Sequence, residues 1–282
     1  MTFANANPQF KDSLFRDFFN DPVRLLDLCN SLLHTNYSDI NDIEINTLDA
    51  NFFSGLKNDI SCKLGNHFLV LVEHQSTVNE NMPFRCLTYF SELLNNLLTN
   101  KQVIYKRKLI SFPSPKFFVF YDGNDESEPV NRILKLSDAF AGDSSSLELI
   151  VHSININIDK KEEILKHCLY LHDYSTLIAY VKLELANGLS RRQAIINAIN
   201  RCIDENVMHD YLINKQEEVF SMLDFQWNLD DAKAAWRDEA IDEERTSIAL
   251  NMLKDGLPFD QIQKFTNLSL DKIQELAKQI HS

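Results

Sequence analysis

Residues 66–73, NHFLVLVE, run five apolar side chains together, Phe68 to Val72, between the turn-former Gly65 and the acid Glu73. The run is far too short to cross a bilayer and has the marks of a strand. Asp59–Cys62 is a second, shorter strand, and Leu64-Gly65-Asn66 is the turn that joins the two as a hairpin. Helical spacing follows, with Phe84, Leu87, Phe90, Leu93, Leu94 and Leu97 three and four apart and Pro83 in the first turn. Lys116–Tyr121 (KFFVFY) is then a buried strand that stops at Asp122-Gly123-Asn124, beside an acidic loop, Asp125–Glu128. Residues 43–48 and 147–158 alternate as strands do. A helical stretch, 9–34, breaks at Asp21-Pro22 and precedes them all. This order predicts an α/β core with a helical C-terminal part.

From Lys160 onward helical spacing dominates. Asn187-Gly188 ends one helix, and Ser190-Arg191-Arg192-Gln193 is a capping box for the next. Further helices are expected over 215–224 and 229–253, with a stop at Gly256-Leu257-Pro258. Two short helices, 258–265 and 270–280, close the chain, the second capped by Ser269. The predicted organisation is a core over 1–158, a helical region over 159–244 and a helix-turn-helix-like tail over 245–282. The last helix carries Asp271, Lys272, Gln274, Glu275, Lys278 and Gln279. That near-neutral set favours packing or self-association over the reading of base edges.

With only 6 Gly and 7 Pro in 282 residues, long flexible linkers are not expected. The N-terminus has no basic stretch followed by an apolar one, so a soluble, cytoplasmic protein without a membrane partner is expected. Five cysteines without a C-x-x-C spacing read as buried free thiols. The net charge of −13 excludes a histone-like binder, since phosphate contacts need Lys and Arg. The charge is uneven: residues 1–135 hold 13 basic and 16 acidic side chains, and the remainder hold 15 and 25. A nucleic acid would therefore meet the N-terminal half. The run Lys101, Lys106, Arg107, Lys108 is either a DNA-contacting strip or a solvated loop.

The polar residues with chemical interest are Asp59, Glu73 and Gln75, all at the ends of apolar strands. Glu73 and Gln75 share a strand face, and His74 points to the other, where packing or hydrogen bonding is its expected role. Pairing about Gly65 brings Asp59 within a residue or two of Glu73. Two such carboxylates either stay solvated or share a hard cation, for which Mg²⁺ with one or two carboxylates and a phosphate is the usual arrangement. Lys57 and Lys63 share the face of Asp59 by parity and could add a positive charge. Asp12, Asp17 and Glu44 could add a further carboxylate. Arg85, opening the helix after the strand, could reach a phosphate or form a structural ion pair. His167 and His172 with Asp173 are too far apart around a helix to make a metal site.

Several blocks of the chain resemble the Rpn family of recombination-promoting nucleases, a transposase-linked family related to the YhgA-like group. They are Asn58-Asp59-Ile60-Ser61-Cys62, Leu69 through Glu73-His74-Gln75-Ser76-Thr77, and Asn81-Met82-Pro83-Phe84-Arg85. Lys108-Leu109-Ile110, Phe118-Val119-Phe120-Tyr121, Leu136-Ser137-Asp138-Ala139-Phe140 and, near the C-terminus, Gly256-Leu257 with Leu268-Ser269-Leu270-Asp271 extend the likeness along most of the chain. The resemblance implies a PD-(D/E)XK (restriction-endonuclease-like) core, a mixed sheet flanked by helices, and DNA cleavage that needs Mg²⁺ or another divalent cation. It implies Asp59 and Glu73 as metal ligands and Gln75 as the group positioning water or phosphate. Gln75 stands where many such enzymes have Lys, and Asn58 where they have Pro. The activity so implied is phosphodiester hydrolysis linked to DNA recombination or mobile elements. A homodimer is compatible with it, because cutting both strands commonly uses two sites. The alternative is a decayed nuclease fold that serves as a DNA- or protein-binding module, as loss of the Lys suggests.

Overall fold

A computed structural model describes residues 14–46, 59–98, 100–142 and 146–280. The chain divides into two compact units, Met1–Asp224 and Phe225–Ser282. The helices that follow the last strand fall in the first unit up to 224.

The first unit is α/β, with a six-stranded mixed sheet flanked by helices. Its strands are β1 (Ile43–Ile45), β2 (Ile60–Leu64), β3 (Phe68–Gln75), β4 (Ser114–Tyr121), β5 (Asn131–Lys135) and β6 (Ile150–Asn155). They lie in the order β1-β2-β3-β4-β6-β5. The β1–β2, β2–β3 and β5–β6 pairs are antiparallel, while β3–β4 and β4–β6 are parallel. Helix α3 (Met82–Leu97) makes the crossover between β3 and β4 that a parallel pair requires.

Because β3 and β4 are central, both faces are covered, which is why their sequences are apolar runs rather than alternations. Leu69 and Leu71 of β3 pack with Phe117 and Val119 of β4 against Met82, Cys86, Tyr89 and Leu93 of α3. The opposite face meets α1 (Leu14–Phe19), α2 (Pro22–Leu33) and α5 (Leu169–Ala186). There Phe15 stacks on His74 at 5.1 Å and meets Phe120 and Tyr174 edge-on at 5.8 and 5.4 Å.

Local signals explain most element ends. Asp21 accepts from the Arg24 N–H at 3.0 Å, ahead of Pro22 in the first turn of α2. A short α4 (Ile164–His167) precedes α5, and Gly188 at φ +84° follows the α5 terminus. Ser190 caps α6 (Arg191–Asp204) by accepting from the Gln193 N–H at 3.4 Å. All five cysteines are free and buried, with Cys29 Sγ and Cys62 Sγ 3.4 Å apart.

Some expectations need correction. Symmetry about Gly65 would pair 59 with 71. The observed register is two residues further on, with Ile60 opposite Val72, because the turn uses the three residues 65–67. Gly65 sits at φ +53° under the Tyr37 ring, a left-handed conformation that suits glycine. Strand β5 was not anticipated. The helices expected over 215–224 and 229–253 are one element, α7 (His209–Lys254), kinked at Lys215.

In the second unit α8 (Phe259–Thr266) and α9 (Leu270–Ile280) follow α7, and Ile262, Ile273 and Leu276 bury against Ala249. Asn267 in the left-handed region ends α8, and Ser269 Oγ accepts from the Lys272 N–H at 3.3 Å. Among the described residues no helix is long and apolar enough to cross a membrane.

Candidate active site

Asp59 stands one residue before β2 and Glu73 near the end of β3, so the hairpin register sets them opposite each other. The Asp59 N–H donates to Glu73 Oε1 at 3.1 Å, and Asp59 Oδ2 accepts from the His74 N–H at 2.7 Å. Each acid is thus held by the other's strand. Glu73 is 2% exposed. Burial, and then the neighbouring Asp59 carboxylate, push its carboxyl up to about 8, against the pull of Arg85 and of the Asp59 N–H.

Arg85 lies in the first turn of α3, above the acid end of β3. Its Nη2 donates to Glu73 Oε2 at 3.0 Å, and Nη2 and Nε both donate to Tyr89 Oη at 3.0 and 3.2 Å. Burial opposes its charge, but Tyr89 and Glu73 outweigh this and raise the guanidinium above its ordinary value. The Arg85 side chain is still 36% exposed, so one side of it meets solvent beside a carboxylate that does not. Gln75, on the same strand face, donates from Nε2 to Met82 Sδ at 2.7 Å. It lines a recess with Thr77, Asn79, Tyr121, Arg132 and Ser153.

The other sequence candidates lie elsewhere. Lys63 and Glu44 face each other across β1 and β2 and form an ion pair at 3.7 Å. That pair is four residues, or about 13 Å, down the strand from Asp59. Asp17 accepts from Lys215 at 2.8 Å and from Tyr211 at 2.5 Å. Lys57, Asn58 and Asp12 lie outside the described residues. His167 and His172 fall in two helices, α4 and α5, beside Glu163 and Asp173. The basic run is exposed, partly as a 3-10 turn over Lys101–Tyr105. Its flanks are at the opposite end of the sheet from the acid pair. Leu97, at the end of α3, is 12 residues or about 18 Å from Arg85. Ser114, at the start of β4, pairs with Phe68, five residues or about 17 Å down β3 from Glu73.

Sequence reasoning missed a polar cluster behind the site. His74 Nε2 is 2.9 Å from Asp122 Oδ2 and 3.2 Å from Tyr174 Oη. Lys182 donates to the carbonyls of Asp122 and Gly123 and to Asn157 Oδ1. Burial alone would raise the Asp122 carboxyl, yet the His74 ring and the Lys182 ammonium bring it below its ordinary value. The signal was Asp122 itself, an acid directly after the apolar run Phe117–Tyr121.

As donors, Asp59 and Glu73 suit a hard divalent cation, whose remaining positions would fall to water and substrate oxygens. The raised Glu73 carboxyl fits the same idea, since a cation between the acids would relieve what burial and Asp59 impose. Among the described residues no third His, Cys, Asp or Glu completes a cluster around them. No family model, curated protein or solved structure matches this chain.

Proposed function

We propose that the chain is a Mg²⁺-dependent DNA endonuclease with a PD-(D/E)XK-type core, related to the Rpn nucleases it resembles. One observation carries the reading: Asp59 and Glu73 meet across the β2–β3 pair, with Glu73 buried and the Arg85 guanidinium beside it. A mixed sheet with a hairpin, a crossover helix and a parallel strand is compatible with that core.

In this reading Asp59 and Glu73 hold the cation. When bound, it supplies charge to stabilise the phosphate and lowers the pKa of water. Arg85 binds the phosphate from the solvent side of the pair and takes over the positive charge that Gln75 does not provide. Gln75 orients water or the phosphate with its amide. Water attacks phosphorus, the bond to the leaving sugar oxygen breaks, and that oxygen takes up a proton. Linkage to recombination or mobile elements follows from the resemblance alone.

The test is calorimetric titration of Mg²⁺ or Mn²⁺ alongside cleavage, for wild type, Asp59→Ala and Glu73→Ala. Loss of both metal binding and cutting in the variants supports the reading, and folded variants that cut DNA as fast as wild type refute it. The Gln at position 75 favours one second reading, a nuclease fold kept for binding. That reading predicts DNA binding without metal-dependent cutting.

A further inference from the structure

Between Glu92 and Asp122 the chain has no acidic residue for 29 positions, 93–121, while it carries Lys101, Lys106, Arg107, Lys108 and Lys116. In a chain with a net charge of −13 this is a local excess of positive charge. Lys101, Lys106, Arg107 and Lys108 are exposed. Interleaved with them are apolar and aromatic side chains that the fold leaves outside. Tyr105 is 86% exposed, Leu109 93% and Ile104 54%.

We propose that residues 101–109 bind single-stranded nucleic acid, with the Tyr105 ring stacking on an unpaired base and the four cations following the phosphates. The proposal names the substrate form for the nuclease reading above and rests on that reading for its purpose. Phosphate contacts alone would explain the cations but not the exposed ring. A duplex hides the faces of its bases, whereas an unpaired base offers a π-face that an aromatic side chain can cover. Leu109 and Ile104 add exposed apolar surface in the same segment.

Geometry favours a strand over a membrane surface of the same charge. A strand touches a strip a few ångströms wide. A planar anionic bilayer would need a broad basic face, whereas this positive excess is confined to one short segment of a chain with a net charge of −13. A 3-10 turn of five residues is also too short to lie in an interface as an amphipathic helix. The flanks of the segment stand about 17 Å down the sheet from Glu73.

The test is fluorescence anisotropy with labelled oligo-dT of 20 nucleotides and with a duplex of equal length. Binding is measured in EDTA so that no cutting occurs, over a range of salt. Wild type should bind the single strand more tightly than the duplex. Tyr105→Ala should weaken single-strand binding by about tenfold and leave the salt slope unchanged. The triple change of Lys106, Arg107 and Lys108 to Ala should flatten the salt slope by about 2. These are exposed positions, so the variants should fold, which circular dichroism checks. Tighter duplex binding, a Tyr105→Ala protein that binds like wild type, or binding to phosphatidylserine vesicles in place of oligo-dT would overturn the proposal. A protein that binds as expected but never cuts with metal would defeat the nuclease reading and leave this one standing.

Discussion

The backbone N–H of Asp59 donates to the Glu73 carboxylate across the β2–β3 pair, at 3.1 Å, in a place where Glu73 is 2% exposed. A carboxylate so placed should report on its own protonation. Burial and Asp59 push Glu73 up to about 8, from an ordinary value of 4.5. Between those pH values the folded protein keeps a proton that the unfolded chain has released. The stabilisation is complete below the lower value and is lost as pH rises toward the upper one. Glu73→Gln keeps the neutral form throughout. In EDTA, the melting temperature of wild type should therefore fall relative to Glu73→Gln between pH 5 and pH 8, by several degrees. Parallel melting curves over that range would show that Glu73 is ionised like a surface acid.

Arg85 is the cation in contact with Glu73, and its fork also engages Tyr89. Arg85→Ala should lower the rate of DNA cleavage by about a hundredfold. Arg85→Lys should recover only part of it, because an ammonium cannot hold Glu73, Tyr89 and a phosphate in one plane. Steady-state cleavage of a short oligonucleotide checks both. Equal rates for wild type and Arg85→Ala would leave Arg85 with a structural role only.

Behind the site, Asp122 carries the His74 ring, and the Lys182 ammonium binds its carbonyl. Asp122→Ala leaves the His74 ring without its acid partner, while Lys182 keeps the backbone carbonyl that it binds. Removing one partner of a buried pair costs about 3–5 kcal/mol. A fall in melting temperature of about 10 °C is expected. A change of less than about 2 °C would mean that water enters the cluster freely.

Gly123 is needed for a different reason. A Cβ there would lie 2.1 Å from the Ser76 carbonyl oxygen and 2.3 Å from the Tyr121 hydroxyl. Gly123→Ala must push the β3 exit away from the β4 exit, and Ser76 is the next residue after Gln75. Lower stability and slower cleavage should appear together in this variant, measured by thermal melting and oligonucleotide cutting. A stable, fully active Gly123→Ala would show that the loops move apart without disturbing the acid pair.

Much of the sheet could be read from the sequence because it is written locally. Five apolar residues in a row make β3 recognisable, and Pro83 with its three-and-four spacing marks α3. Proximity of Asp59 and Glu73 followed from the hairpin. The register did not, because it depends on how many residues the turn uses. Strand β5 was hidden because it is an edge strand with charges at Arg132 and Lys135 and a single buried residue, Leu134. Lys63 looked available by parity, but its partner Glu44 comes from β1, whose register no local pattern reveals. The contact of His74 with Asp122 joins residues far apart in the chain, and that of Arg85 with Glu73 depends on how α3 is set against the end of β3. Only packing decides such contacts.

The most direct measurement is nicking of supercoiled plasmid by pure protein with Mg²⁺, Mn²⁺, Ca²⁺ or EDTA, alongside Glu73→Ala. The account predicts cutting that needs a divalent cation, stops in EDTA and is lost in the variant. No cutting with any of the metals, with wild type and Glu73→Ala binding DNA equally, would contradict it.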